Sequence, residues 1–344
     1  MSRWCSESGG ASATKNPPNI VADTRDCKRV LWKHTAFQKI LPDRVDQTPI
    51  LRYSHRQRFS ISSAQAALDT DLSTIAPGLK LASPGFWRAE GTERVSYPPD
   101  GNAQCLAVED DSFWFRHRNA VIKDLVATFP PDGPILDVGA GNGYVARGLE
   151  SAGHSCIALE PSESGAANAI GRGLRTVVCS TVESARFRSG SVSAIGLFDV
   201  LEHVQHDRAF LAHLHDIMKP GGRIYVTVPA FMGLWSTDDD YAQHQRRYSI
   251  ASLRRSLSEA DFPVDYMSYY FVPLTVPVFL FRTIPSRLGF RRKTTSEPGV
   301  KEHSLGGGPL RFLADRVLRI ERERLKRKTV LPFGASCIAV ARRA

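Results

Sequence analysis

Apolar and polar positions alternate in blocks from Ile135 onward. "PILDVG" is a short buried strand, and "YVARGLESAG" a helix ending at Gly153. "CIALEPS" is a second strand ending in an acid, and "SGAANAIGRG" a second helix closed by Gly171 or Gly173. "RTVVCS" makes a third strand, and "VSAIGLFDVLEHV" a fourth that runs into a turn. In "DRAFLAHLHDIMKPGG" Phe210, Leu214 and Ile217 share one helical face, and Pro220-Gly221-Gly222 stops the helix. "RIYVTVPA" is a fifth strand, "SIASLRRSLSEADF" a helix N-capped by Ser249, and "VDYMSYY" and "ASCIAVARR" a sixth and seventh strand. Upstream, "SFWFRHRNAVIKDLVATF" places Phe115, Ala120/Val121, Leu125 and Phe129 at helical spacing before Pro130-Pro131. Strands alternating with helices predict an α/β fold: a seven-stranded, mostly parallel sheet with both faces covered.

Residues 1–84 lack such periodicity and are expected to be a poorly ordered leader, with the folded domain at 85–344. Residues 272–330, between the last two strands, are expected to form a cap. They close with "LRFLADRVLRIERERLKRK", where Leu310, Leu313, Val317, Ile320 and Leu325 predict a helix with one apolar stripe. That stripe packs on its own domain, covers an acceptor, or rests on lipid.

The net charge of +10 is concentrated at one end: 16 Lys+Arg stand against 5 Asp+Glu from Arg282 to Ala344. This basic region is either a merely solvated face or a match for an anionic membrane surface, its charges alternating with an apolar stripe. Nucleic acid is not favoured, since aromatic platforms are missing. The six cysteines are scattered with no C-x-x-C pair, which argues against a zinc ribbon or disulfide framework and for a reducing, cytoplasmic location. The most apolar run, Tyr269 to Phe281, holds two prolines and falls short of the ~20 residues of a spanning helix.

"DVGAGNG" joins the first strand of the alternation to a helix, where backbone N–H groups and the helix N-terminus can meet a ligand. Gly139 permits the turn, Gly141 removes a side chain from the ligand's path, and Gly143 lets the helix start closely packed. Glu160, 21 residues after Gly139, can accept hydrogen bonds from both ribose hydroxyls of a nucleoside. "GNGYVA" also satisfies the dinucleotide pattern, so an NAD(P)-dependent oxidoreductase is an alternative. Asp137 two residues before the glycines, no second mononucleotide half, and no Tyr-x-x-x-Lys favour a different nucleoside ligand.

With "ALEPS", "GLFDVLEHV" and "MKPGGRIYVTVP", this loop resembles the successive motifs of class I S-adenosylmethionine-dependent methyltransferases. It is most similar to bacterial small-molecule members that open with "FWFRHRN" and carry a "GHxRRY"-like stretch, here "QHQRRYS" with Gln243 replacing Gly. Many of those carry an N-terminal zinc ribbon, which this chain lacks. The resemblance implies a Rossmann-like sheet with an antiparallel last strand, and S-adenosyl-L-methionine as cofactor. It further implies that Asp137, Gly139, Gly141 and Gly143 surround the methionine part, that Glu160 binds the ribose, that Thr181 or Val182 lies near the adenine, and that Phe198 and Asp199 lie near the methyl group. "FDVLEH" replaces the Asn/Asp-Pro-Pro-Tyr motif, which argues against amide or exocyclic-amine acceptors.

Methyl transfer to a hydroxyl needs its proton removed, and His203 and His244, both at the carboxyl edge of the sheet, are candidate catalytic bases. In "DDDYAQHQRRY", Arg246 and Arg247 are candidates to hold a carboxylate or phosphate between Tyr241 and Tyr248, unless an arginine braces the loop on Asp239 or Asp240. No metal is expected at Asp238–Asp240, because no further ligand follows at suitable spacing. The expected acceptor is a small or lipid-linked molecule methylated at oxygen. A domain that binds the cofactor without catalysis is the remaining alternative.

Overall fold

In the computed structural model, the described residues are 72–89, 97–98, 100–289 and 309–344. Nine strands form one sheet: β1 (Leu79–Ser83), β2 (Phe86–Ala89), β3 (Ile135–Val138), β4 (Cys156–Leu159), β5 (Val177–Cys179), β6 (Val192–Phe198), β7 (Met218–Pro229), β8 (Val264–Tyr270) and β9 (Ser336–Arg342). Their order is β1-β2-β5-β4-β3-β6-β7-β9-β8. All seven predicted strands are present, and β9 runs antiparallel to both β7 and β8. The count of seven falls short by β1 and β2, a hairpin that joins the edge through β2 alongside β5. Its residues are largely exposed, so it carries little of the apolar signal by which buried strands are read. β1 also lies within residues 1–84; the rest of that leader expectation, residues 1–71, lies outside the described residues.

The helices are α1 (Gly101–Leu106), α2 (Phe113–Thr128), α3 (Tyr144–Ser151), α4 (Glu163–Gly171), α5 (Val182–Ala185), α6 (Asp207–Ile217), α7 (Thr237–Tyr241), α8 (Ile250–Glu259), α9 (Val272–Val278), α10 (Ile284–Arg287) and α11 (Pro309–Lys326), with a π-helical turn at Phe279–Thr283. The sheet's two-residue period sorts its side chains into two cores. Leu136, Ile157, Ile195 and Leu197 pack with Leu211 and Leu214 of α6 and Leu253 of α8. Ile135, Cys156, Ala158 and Ala194 pack with Ile122 and Leu125 of α2 and Leu149 of α3. Both faces are covered, so the central strands read as apolar runs. Ser112 caps α2 by accepting from the N–H groups of Trp114 and Phe115, a contact worth ~1 kcal/mol. Ser249 caps α8 as expected.

Between β8 and β9 the chain builds α9, the π-helical turn and α10, then α11. The apolar stripe expected on α11 is displaced. Leu325 is buried as expected, but Val317 and Ile320 are exposed while Leu318 and Glu321 are buried; the side chains of Leu310 and Leu313 lie outside the described residues. The helix is rotated because Glu321 has a fixed task. Its carboxylate accepts the N–H groups of Phe271 (2.9 Å) and Val272 (2.7 Å) and lies 2.8 Å from His117 Nε2. Buried donors at a left-handed Phe271 (φ 59°) outrank two marginal apolar contacts. Among the described residues, no helix is long and apolar enough to cross a membrane.

Candidate active site

Chain order reverses between β3 and β6, and the carboxyl ends of the strands there open into a cavity of about 780 Å³. Such a switch point is where open α/β sheets hold ligands. The loops after β3, β4, β5 and β6 supply one wall, and Tyr97, Asn102, Trp114 and Phe115 from upstream another.

All three loop glycines have positive φ: Gly139 70°, Gly141 55° and Gly143 75°. Their reasons differ. A Cβ on Gly139 would strike Val200 Cγ2 at 2.7 Å, and one on Gly143 would strike Leu174 Cδ1 at 2.5 Å and Ala169 Cβ at 2.9 Å. Gly143 thus keeps α3 close to the α4 region. A Cβ on Gly141 would meet nothing nearer than Asn102 Oδ1 at 3.7 Å, so the space beside this cavity-lining residue is open. The Gly141 N–H donates to Glu160 Oε2 at 2.8 Å, and the Ser162 N–H to Oε1 at 3.0 Å. Each oxygen has one backbone donor and keeps acceptor capacity toward the cavity it lines. Thr181 lines the cavity at the N-cap of α5.

Asp137 is almost fully buried, and its Oδ2 has no hydrogen-bond partner. Burial pushes its carboxyl up to about 7; Arg118 opposes that rise and Glu160 adds to it. Phe198 and Asp199 line the cavity at the end of β6. Asp199 takes a left-handed backbone (φ 59°) that a non-glycine residue adopts at some cost. Its Oδ1 accepts from Thr227 Oγ1 (3.1 Å), and its Oδ2 lies 2.5 Å from Arg118 Nε in a geometry too bent for a hydrogen bond. Arg118 also donates to the Phe198 carbonyl (2.7 Å). This buried arginine stands in the quoted "FWFRHRN", yet helical periodicity reads its position as just another polar residue. Asn142 was equally hidden: it donates to the Asn102 carbonyl (2.8 Å) and accepts from Asn168 (2.8 Å), fastening α1 over the glycine bend.

His203 and His244 come together at the other end, with ring centroids 4.7 Å apart and planes at 79°. His203 ends the 3₁₀ turn Leu201–His203, and His244 follows α7. His244 Nδ1 lies 2.8 Å from Asp239 Oδ1. Burial would raise the Asp239 carboxyl, but hydrogen bonds from His244 and Arg247, the Arg247 charge and the Ser236 N–H hold it at about 2. Glu202, between Asp199 and the histidines, is buried and held well above the usual carboxylate range by burial and by the Asp199 charge.

The four residues expected to hold substrate are placed otherwise. Arg247 reaches the cavity, but its Nε and Nη2 are committed to the two Asp239 oxygens at 2.7 and 2.9 Å. It braces the loop. Arg246 pairs with Asp207 (2.9 Å) and the Gln205 carbonyl (2.6 Å), and Tyr248, buried in the core, donates to Asp207 (2.9 Å). Tyr241 donates to Asp100 (2.8 Å), tying α7 to the start of α1. Tyr241, Arg246 and Tyr248 do not line the cavity. For Arg246, Arg247 and Tyr248 the physical reason is shared: the buried carboxylates of Asp207 and Asp239 need these donors to offset their desolvation. Asp238, with Val278 and Arg282 from the segment between β8 and β9, lines the cavity instead, and Asp238 pairs with Arg282 (3.3 Å).

Residues 114–266 match the family model described as a methyltransferase domain. Over 171 residues the chain is 24% identical to a protein of Mycolicibacterium smegmatis named "Probable S-adenosylmethionine-dependent methyltransferase", covering 49% of this chain and 66% of that one. Over 102 residues it is 28% identical to the mitochondrial ubiquinone biosynthesis O-methyltransferase of Mus musculus, covering 27% and 28%. An S-adenosylmethionine-dependent methyltransferase structure from Archaeoglobus fulgidus is similar with TM-score 0.42 and 17% identity, over 65% of this chain and 92% of that one. The chain thus spans just under two thirds of the mycobacterial relative and under a third of the mouse one. The family match thus assigns a methyltransferase domain to residues 114–266.

Proposed function

We propose that this chain transfers a methyl group from S-adenosyl-L-methionine to a hydroxyl oxygen of a small or lipid-linked acceptor. One observation carries the cofactor reading: a buried carboxylate oxygen without a partner, on Asp137, borders the same cavity as the open Gly141 and the anchored Glu160. An ammonium satisfies the first and ribose hydroxyls the second, with the adenine toward Thr181 and the loop after β5. Asp199, braced by Arg118 and Thr227, and Phe198 stand at the methionine end. When bound, the cofactor supplies a methyl group on an excellent leaving group, so the protein's task is alignment and handling of the acceptor proton.

The acceptor is placed at the His203–His244 end, where the two imidazoles can activate a hydroxyl and Asp239 fixes one ring. The Arg246–Tyr248 stretch braces this end and leaves recognition to Trp114, Phe115, Val278 and Arg282. Those walls are mostly apolar. Val276, Phe279, Leu280, Phe281 and Leu288 of the neighbouring segment are exposed beside Arg282 and Arg287. An apolar entrance rimmed with arginine supports a lipid-linked acceptor, and the same rim suits peripheral contact of a cytoplasmic protein with anionic lipid. The likeness to a ubiquinone biosynthesis O-methyltransferase points the same way for oxygen.

Two measurements test this. Adenosylhomocysteine should bind in calorimetry while NADH does not; the reverse removes the reading. Extract incubated with labelled S-adenosylmethionine should carry protein-dependent label in its lipid fraction. Label only in the aqueous fraction removes the lipid-linked acceptor.

A further inference from the structure

Glu202, His203 and His244 each offer a ligand atom, and the three atoms lie within 4.8 Å of one another at the acceptor end of the cavity. They come from one short turn after β6 and one loop after β7, so sequence spacing does not announce them as a set. We infer that these three side chains bind a divalent transition-metal ion, with its remaining coordination positions open to the cavity.

Four observations carry this. Glu202 is 1% exposed, and its Oε2 lacks a hydrogen-bond partner. A buried carboxylate oxygen in that condition calls for a cation. The nearby arginines do not supply it: Arg118 is committed to Asp199 and Arg247 to Asp239, and among the described residues no salt bridge to Glu202 forms. The contact between His244 Nδ1 and Asp239 leaves Nε2 as the nitrogen for a ligand, the carboxylate–histidine arrangement that orients metal-binding imidazoles. Finally, two imidazoles and one carboxylate favour a transition ion over Mg²⁺ or Ca²⁺, which prefer oxygen donors. Bond lengths of ~2.0–2.2 Å require only that the three donor atoms close in modestly.

In its role, though not in its binding, the ion rests on the proposed methyl transfer to oxygen. An acceptor hydroxyl reaching an open position would ionise more easily. Its O–H bond would break, the proton would leave to solvent water, and the electron pair would stay on oxygen. Both histidines then act as ligands, and neither must take the proton itself.

The test uses the full chain, stripped with chelator and titrated with Mn²⁺ and Zn²⁺ by calorimetry, with adenosylhomocysteine binding measured in parallel. One ion should bind per chain. Glu202→Gln, His203→Gln and His244→Gln should each weaken it by at least ~10-fold, the scale on which even outer-shell partners act. For a variant that fails to fold, spin-echo modulation of Mn²⁺ bound to the unaltered protein should report two imidazole nitrogens. No ion bound, unchanged affinity in the folded variants, or Mn²⁺ without nitrogen coupling overturns the site. Adenosylhomocysteine binding without metal binding defeats this inference alone; metal binding without adenosylhomocysteine binding defeats the methyltransferase reading and leaves the metal site standing.

Discussion

The Gly141 N–H lies 2.8 Å from Glu160 Oε2, so the bend after β3 and the end of β4 form one hydrogen-bonded edge of the cavity. Glycine is needed at that edge for two separable reasons, which its neighbours allow to be measured apart. In Gly141→Ala the new methyl makes only an ordinary contact with Asn102 Oδ1 at 3.7 Å, so the folding cost is the left-handed backbone alone, about 1–2 kcal/mol. Adenosylhomocysteine affinity should nevertheless fall at least ~10-fold, a loss of about 1.4 kcal/mol or more. In Gly143→Ala the methyl overlaps Leu174 and Ala169, and the melting temperature should drop well below that of Gly141→Ala. Calorimetry and thermal melts on the two variants check the split; equal melting temperatures would contradict it.

Asp137 predicts opposite effects on stability and binding. Its carboxyl is pushed up from 3.8 to about 7 in the folded chain, so the folded state takes up a proton between these values. The stability this uptake contributes is fully present below pH 3.8 and lost as pH rises through 7. Asp137→Asn should therefore melt higher than the parent at pH 8, with the advantage shrinking toward pH 4. The parent's affinity for adenosylhomocysteine should rise between pH 6 and 8 as the carboxylate forms, and the variant's should not. Melts and titrations at those pH values decide it.

Arg118 is buried against Asp199 and the Phe198 carbonyl. Arg118→Leu leaves a carboxylate without its ion-pair partner and should cost about 3–5 kcal/mol of stability. Arg118→Lys keeps the charge but loses the fork, and should fall between. Urea unfolding measures both; a Leu variant as stable as the parent would mean that Asp199 finds another partner.

Glu321 ties α11 to Phe271, Val272 and His117, far along the chain from the glycine bend. Glu321→Ala strands two buried N–H groups and should cost about 2–3 kcal/mol. Adenosylhomocysteine affinity should stay within about twofold of the parent, under ~0.5 kcal/mol. The stability loss confirms the role of the carboxylate that displaced the expected apolar stripe.

His203→Gln and His244→Gln should each lower methyl transfer by about 10²-fold or more, the range for loss of acceptor-proton removal, whether the rings take that proton or hold the ion that releases it. Cofactor affinity should be unchanged, because both rings lie at the acceptor end. Single-turnover assays with the acceptor identified by extract labelling check this.

Much of the frame was legible in the chain. Seven strands, the α2 helix, the Ser249 cap and the glycine bend with Glu160 all show as local patterns, because burial on both faces of a parallel sheet and positive φ at a turn act on consecutive residues. The candidate site was legible in part. His203, His244 and Asp137 could be named from residue type and position, and an arginine braced on Asp239 was one of two readings of the loop, but which arginine it is and the partners of Arg246 and Tyr248 could not. Those depend on Asp207 and Asp239, which folding buries beside them and which claim the donors first.

Local sequence thus determined the sheet, the bend and the acids at the strand ends, since each follows from neighbours along the chain. Only the tertiary structure decided that Arg118 serves Asp199, that α11 turns Glu321 inward, and that Glu202 meets two histidines. Each of those joins groups far apart in sequence or on separate loops, and desolvation at a buried charge, which no local pattern records, chooses the partner.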